Sequence, residues 1–195
     1  MGKSGRASNR RGKTPAASSG TTDFRKRRLV RFVITFLGIL IVGAILYPYL
    51  SIALDEELRG FMAVTARACG GLLDIVSGDV SVSDRYLTFH GFSVEIIEEC
   101  TGIFEMLIFL AALMSYPASW RSRVVGFTLG LPALYLFNVL RIIFLTVVGV
   151  YYHDLFDFMH LYFWQATLIL MITSVWVMWI LLVVSREKKT PAFLA

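Results

Sequence analysis

Residues 99–120 read ECTGIFEMLIFLAALMSYPASW, and we expect the fold to be organised around this stretch. A thiol, Cys100, lies where an acidic, extended segment ends and an apolar helix begins at Ile103. The apolar part is short, and Pro117 weakens its end. The stretch predicts a transmembrane helix over residues 101–120, with either Trp120 at the inner interface or Cys100 sunk below the outer membrane surface.

Three other apolar runs are long enough to cross a bilayer, because about 20 apolar residues span its hydrocarbon core. They cover residues 29–50, 124–150 and 160–184. Together with residues 101–120, they predict a mainly α-helical integral membrane protein with about four transmembrane helices. Gly126 and Gly130 predict a face of the third helix on which another helix packs closely.

The composition supports a membrane protein. Hydrophobic residues make up 56% of the 195-residue chain, and its mean hydropathy is +0.67. Ten of the 19 Lys and Arg residues lie in residues 1–31, whereas nine of the 14 acidic residues lie in residues 51–100. Basic segments stay on the cytoplasmic side of a membrane. We therefore expect a multi-pass protein of the plasma membrane with both termini cytoplasmic and residues 51–100 outside.

The predicted organisation is a single integral membrane domain, residues 29–184, between two cytoplasmic tails. Residues 1–28 are basic, rich in Gly and Ser, and predicted to be disordered. Residues 185–195 form the second tail. No nucleic-acid partner is expected, because the basic run adjoins a membrane span and no nucleic-acid motif follows it.

The extracytoplasmic segment 51–100 changes its periodicity halfway. Residues 51–77 predict an amphipathic helix in the membrane interface. The apolar face of this helix is predicted to comprise Phe61, Val64, Thr65, Ala68, Leu72, Ile75 and Val76. Residues 78–97 alternate apolar and polar side chains, which predicts a short β-hairpin or three-stranded segment with turns at 84–85 and 90–91.

Alternating span direction brings Cys100, Arg141 and His160 to the outer face, where they form a candidate thiol-enzyme site. An arginine, a protonated histidine or a helix N-terminus favours the thiolate of a cysteine. Arg141 can stabilise that thiolate or the oxyanion of a tetrahedral intermediate. His160 can hold the proton and return it to a leaving amine. Asn138 lies on the same helix face as Arg141 and can support it.

The neighbouring residues qualify this hypothesis. Glu98 and Glu99 oppose thiolate formation, so a nucleophilic Cys100 needs a cationic partner. His153 competes for the role of His160, and a disulfide between Cys69 and Cys100 would remove the nucleophile. The absence of a CxxC pair argues against a dithiol or metal site, and we expect no cofactor.

Each candidate residue also has a purely structural interpretation. A cysteine near a helix start is often a small packing residue, and a histidine at a membrane boundary is often only interfacial. Arginine is a stronger indication of function, because at bilayer depth it costs roughly 3 kcal/mol or more. Arg141 could also pair with the carboxylate of a partner in a non-catalytic membrane assembly or scaffold subunit, which is the alternative function.

Three motifs in order resemble the exosortase/archaeosortase family of membrane cysteine transpeptidases. They are Cys100-Thr101-Gly102, Asn138-Val139-Leu140-Arg141 and the late His160. Residues 92–100 and 111–120 are more particularly similar to the exosortase H subgroup. The resemblance implies that Cys100, Arg141 and His160 are catalytic, and that Asn138, Thr101 and Gly102 support them.

The resemblance also implies the substrate. Such enzymes cleave C-terminal sorting signals that consist of a short motif, a transmembrane helix and a basic tail. Cleavage of such an exported protein gives an acyl-enzyme on Cys100, which is passed to a cell-surface acceptor. The alternation in residues 78–97, next to Cys100, suggests that the substrate peptide is held by strand addition.

Overall fold

The structure, a computed structural model, describes residues 19–187 of the chain. Helix α1 (Ser19–Ala53) is followed by α2 (Asp55–Asp74) and by strands β1 (Val80–Ser83), β2 (Tyr86–Phe89) and β3 (Phe92–Glu95). Helices α3 (Ile103–Ser115) and α4 (Trp120–Tyr151) follow a 3₁₀ turn, Glu98–Cys100. The last part contains α5 (His153–Phe158), a π turn Met159–Phe163, α6 (Trp164–Trp179), a π turn Ile180–Val184 and α7 (Ser185–Glu187).

Within residues 19–187, three helical stretches are long and apolar enough to cross a membrane: Lys26–Ala53, Trp120–Tyr151 and Asp154–Val184. Helix α3 is apolar but has only 13 residues. At 1.5 Å per residue it measures about 20 Å, less than the roughly 30 Å of a hydrocarbon core. The predicted architecture of four apolar helices with a small sheet is therefore confirmed, with one helix shorter than a full span.

The helix ends differ from the predicted spans. The second span was predicted to continue to Trp120, but α3 ends at Ser115 and Trp120 begins α4. Tyr116 is extended, and the Ser119 hydroxyl accepts a hydrogen bond from the Ser122 amide at 3.2 Å, which caps α4. The helical stretch that contains the fourth span starts at His153, before the predicted residue 160.

The tails are described only in part. Residues 1–18 and 188–195 lie outside the described residues. Residues 19–28 belong to the stretch that we predicted to be disordered, but they form the first turns of α1. They join the apolar run without an intervening helix breaker, so the helix extends backward from the span.

Helix α2 packs on the rest of the protein through a face other than the apolar face that was predicted to lie in the membrane interface. Its inward face consists of Met62, Ala66, Cys69 and Leu73, which join the core formed with the sheet and α4. Of the predicted apolar face, only Thr65 is buried, and Ile75 and Val76 are more than three quarters exposed. The small residues decide the packing, because a Cβ at Gly70 would lie 2.3 Å from a methyl group of Val82.

The three strands form an antiparallel sheet in the order β1-β2-β3. Asp84 and His90 have positive φ, as does Gly91, so the turns lie at the predicted positions 84–85 and 90–91. Leu87 of the central strand is fully buried against α2 and α4, whereas Ser81, Ser93 and Glu95 face outward. The sheet therefore packs on the C-terminal half of α4.

The predicted close packing at Gly126 and Gly130 is confirmed. A Cβ at Gly130 would lie 2.4 Å from the Phe109 ring, and a Cβ at Gly126 would lie 2.4 Å from Leu113. Both partners lie on α3, and Trp179 of α6 closes the same core cluster. Helices α3, α4 and α6 thus form the tightly packed centre of the molecule, which fixes the position of Cys100 at the start of α3.

Candidate active site

A cavity of about 270 Å³ brings together the three residues predicted from separate segments. Cys100, Arg141 and His160 all line it. Strand β3, α4 and the α5–π segment form its walls, with Phe92, Val94, Ile142, Leu145 and Phe156 among the lining side chains. The walls are mainly apolar, so charges inside the cavity interact more strongly than they would in water.

The Cys-Thr-Gly motif holds Cys100 at a fixed point of the wall. The fully buried Thr101 hydroxyl donates a hydrogen bond to the Glu98 carbonyl at 2.6 Å. Gly102 has φ +79°, a left-handed conformation that favours glycine, and a Cβ there would lie 3.1 Å from the Asn138 side chain. Thr101 and Gly102 therefore shape the chain around Cys100.

Asn138 connects the two helices of the site. Its Nδ2 donates a hydrogen bond to the Cys100 carbonyl oxygen at 2.5 Å, and its side chain is 1% exposed. Within residues 19–187, its buried Oδ1 accepts no hydrogen bond. Asn138 was predicted to support Arg141, but in the structure its side-chain hydrogen bond is to the backbone of Cys100.

Arg141 is a buried cation, 8% exposed, one helical turn after Asn138. Its Nε is buried and makes no hydrogen bond to a described residue. Among the described side chains of residues 26–186, no carboxylate forms an ion pair with Arg141, and this includes Glu105. Arg141 is therefore a positive charge in the cavity wall that none of these side chains neutralises.

His160 lies in the π turn and is half-buried at the cavity wall. Its ring is 5.6 Å from the ring of Phe156. Arg141 and Asp157 both lie close enough to act electrostatically on His160. The side chain of His153 is not among those described, so its competing role stays a prediction.

Opposing effects act on the pKa of the Cys100 thiol. Burial raises the pKa of the Cys100 thiol above its ordinary value, and the charges of Glu99 and Glu105 act in the same direction. The backbone N–H of Ile97 and the charge of Arg141 lower it, but by less. The carboxylate of Glu98, which was predicted to oppose the thiolate, instead accepts a hydrogen bond from the Tyr47 hydroxyl of α1.

One residue of the site, Asp157, was missed in the sequence, and a second, Glu105, was interpreted there as an interfacial carboxylate or a partner of Arg141. Asp157 lies three residues before His160, a spacing that could have been noticed if the fourth helix had been predicted to begin earlier. Glu105 has a buried oxygen without a hydrogen bond in the described part of the chain, and its spacing from Cys100 places it in the first turn of α3. Cys69 and Cys100 are both free, so the possible disulfide is not formed.

Comparison with known proteins identifies a family. A family model described as Transmembrane exosortase (Exosortase_EpsH) matches residues 19–179, more than four fifths of the chain. No curated protein and no solved structure matches the chain. The matched region contains all three motifs, in agreement with the family predicted from them. The chain therefore belongs to the transmembrane exosortase family.

Proposed function

We propose that this membrane protein is a cysteine peptidase and transpeptidase that cleaves the C-terminal sorting signals of exported proteins. The observation that carries the proposal is that Cys100, Arg141 and His160 line the same cavity. A nucleophile, a cation and a proton carrier around one cavity are the groups that acyl transfer requires. The family membership supports the same reaction class.

The proposed reaction begins with a protonated thiol, because burial raises the pKa of Cys100. As the Cys100 sulfur attacks the scissile carbonyl carbon, its proton passes to His160, and Arg141 stabilises the oxyanion. His160 then donates the proton to the leaving nitrogen. The C–N bond breaks, and the C-terminal fragment departs as an amine from a thioester on Cys100.

The second half of the reaction releases the product. A nucleophilic acceptor at the cell surface transfers its proton to His160 and attacks the thioester carbonyl. The bond to sulfur breaks, the exported protein is joined to the acceptor, and Cys100 recovers its proton from His160. Arg141 stabilises the oxyanion of this step as well, since both steps pass through the same tetrahedral geometry.

The length of α4 supports a site at the extracytoplasmic face of the plasma membrane. From Trp120 to Arg141 the helix rises by about 32 Å, close to the thickness of a hydrocarbon core. With Trp120 and the adjacent Arg121 at the cytoplasmic boundary, Arg141 reaches the outer boundary. Both termini then lie in the cytoplasm, and a peptide bond just outside a substrate's membrane helix lies at the level of Cys100.

The test is processing of a co-expressed exported protein that ends in a transmembrane helix and a basic tail. We expect Cys100→Ala to reduce processing by about a thousandfold or more, and Arg141→Ala and His160→Ala to reduce it by about a hundredfold or more. Cys69→Ala is the control, because Cys69 is buried in the neighbouring core and does not belong to the reaction. Normal processing by Cys100→Ala would exclude the mechanism.

The unneutralised charge of Arg141 also favours the alternative, a scaffold subunit that pairs Arg141 with a partner's carboxylate. The two functions differ in whether they require the thiol of Cys100. A scaffold subunit retains its function as Cys100→Ser and tolerates Arg141→Lys, whereas the peptidase loses activity with Cys100→Ser. Detection of a thioester-linked substrate fragment on Cys100 would decide for the peptidase.

A further inference from the structure

We propose that the substrate peptide binds as a fourth strand along the free edge of β3, parallel to it. This inference rests on the proposed function and specifies how the same site recognises its substrate. Among the three strands of the sheet, only β1 and β3 are edge strands. Strand β3 is the one that leads directly into Cys100.

The register shows which backbone groups of β3 are available. Phe89 and Phe92 flank the two-residue turn at 90–91, so they form a hydrogen-bonded pair. Hydrogen-bonded pairs alternate along an antiparallel ladder, and the next one is Leu87 with Val94. The N–H and C=O groups of Ser93 and Glu95 therefore point away from β2. Within residues 19–187, no residue makes a hydrogen bond to them.

The free edge lies over the candidate active site. Residues 92–97 line the same cavity as Cys100, Arg141 and His160. The edge of β1 is on the opposite side of the sheet, where β1 packs against α2 and Val82 contacts the position of Gly70. Only the β3 edge can therefore place a bound peptide next to the thiol.

An unpaired edge needs no ligand by itself, because short edge strands that carry a charge, such as Glu95, are commonly left to water. The cavity distinguishes β3 from such an edge. A strand added to β3 would turn every second side chain toward the apolar wall formed by Phe92, Val94 and Leu145. We expect small or apolar substrate residues at these alternate positions, because the cavity measures only about 270 Å³.

The direction follows from where the chain enters the membrane. After β3 the protein itself passes through Cys100 into α3. In the proposed function, the substrate also enters the membrane on the C-terminal side of its cleaved bond. Both chains then run from the water phase through the level of Cys100 into the bilayer, which makes the added strand parallel to β3.

The first test removes one backbone donor and leaves the ladder intact. Ser93→Pro eliminates the outward N–H of Ser93, and proline is tolerated at such edge positions. We expect processing of the co-expressed tailed protein to fall about tenfold or more. Ser93→Ala is the matched control, since it keeps the N–H and loses only the 3.1 Å contact between the Ser93 and Thr88 hydroxyls. Unchanged alkylation of Cys100 in Ser93→Pro shows that the fold is preserved.

The second test does not depend on how the proline variant folds. A photocrosslinking residue replaces Ser93, Ile97 or Ser81 in three separate variants. Ser81 is the comparison position, because its side chain lies on the same outward face of the sheet as that of Ser93 but at the opposite edge, on β1. Substrate captured at residues 93 and 97 but not at 81 is the expected result. The crosslink at residue 93 should lie farther upstream of the cleaved bond than that at residue 97.

The outcomes separate the inference from the proposed function. If Cys100→Ala abolishes processing but Ser93→Pro processes normally and residue 93 captures no substrate, strand addition is wrong and the peptidase stands. If the crosslinks appear in reverse order, the parallel direction is wrong. If Cys100→Ala processes normally, the proposed function itself fails.

Discussion

At the scale of single residues, the site combines a thiol that burial keeps protonated with a nearby buried cation. Arg141 lowers the pKa of Cys100 but does not outweigh burial. The resting protein is therefore expected to hold Cys100 as a thiol, and the nucleophile forms only when a proton acceptor is in place. In the proposed reaction, His160 therefore takes part in the attack as well as in departure of the amine.

The pH dependence of alkylation tests this balance. The rate of Cys100 alkylation follows the fraction of thiolate. An ordinary thiol has a pKa of about 8.5, so the rate at Cys100 should keep rising well above that pH. Arg141→Gln removes a charge that lowers the pKa of Cys100, so its profile should move to higher pH. Burial raises the pKa of Cys69 to about 12, and measurements in Cys69→Ala remove any contribution from it. A shift toward lower pH in Arg141→Gln would contradict the electrostatic role.

Gly102 allows a second prediction at this scale. Gly102→Ala should cost roughly 1–2 kcal/mol of stability, because φ is +79°. It should also impair processing, because the new Cβ displaces Asn138. Gly91→Ala is the matched control: φ is +80°, but nothing lies within 4 Å of its Cβ. Thermal unfolding and processing assays should show similar destabilisation in both variants and a processing defect only in Gly102→Ala.

At the scale of elements, the short helix α3 is held by contacts of two glycines on α4. Gly126 and Gly130 let α4 approach Leu113 and Phe109 directly. Because association of membrane helices depends on close packing, these contacts fix α3 and hence Cys100 relative to Arg141. Helix α2 and the sheet pack on the C-terminal half of the same helix α4.

Enlarging one of these glycines should separate the two helices. Gly130→Ala places a Cβ 2.4 Å from the Phe109 ring, so we expect a loss of about 1–3 kcal/mol of stability and weaker processing. Gly38→Ala in α1 is the control, because nothing lies within 4 Å of its Cβ and alanine favours a helix. Equal thermal stability of Gly130→Ala and the unmodified protein in detergent would argue against this packing role.

At the scale of the whole molecule, the charge asymmetry predicts how the protein is oriented in the membrane, and this orientation predicts the side on which the candidate site lies. The basic segments lie next to the ends of apolar helices, and the acidic segment carries α2 and the sheet. The proposed orientation puts the sheet and the cavity on the outer side, where an exported protein would meet them.

Labelling of single cysteines in intact cells tests this orientation. In a Cys69→Ala/Cys100→Ala background, Ser81→Cys should react with a membrane-impermeant maleimide. Trp120→Cys should react only after permeabilisation. Both native side chains are exposed, so access to the reagent depends on the side of the membrane and not on burial. The reverse pattern would invert the topology and place the site in the cytoplasm.

The sequence by itself determined the class of the protein, the order of its helices and strands, and the identity of the candidate residues. These features depend on composition and short-range periodicity, which are local. The alternation in residues 78–97 and the two turns were sufficient for the sheet, because a meander of adjacent strands needs no long-range contact to define its order.

The tertiary structure decided features that depend on which surfaces meet. Helix α2 has apolar residues on two faces. The face that contains the small residues Ala66, Cys69 and Gly70 is the buried one, because it lets the sheet approach closely. The end of α3 at Ser115 and the role of Asn138 as a link to Cys100 likewise depend on neighbours distant in sequence. The sequence motifs identified the candidate residues of the site. Their proximity became evident only in the structure, where β3, α4 and the π turn pack around one cavity. No local sequence pattern encodes a distance between helices.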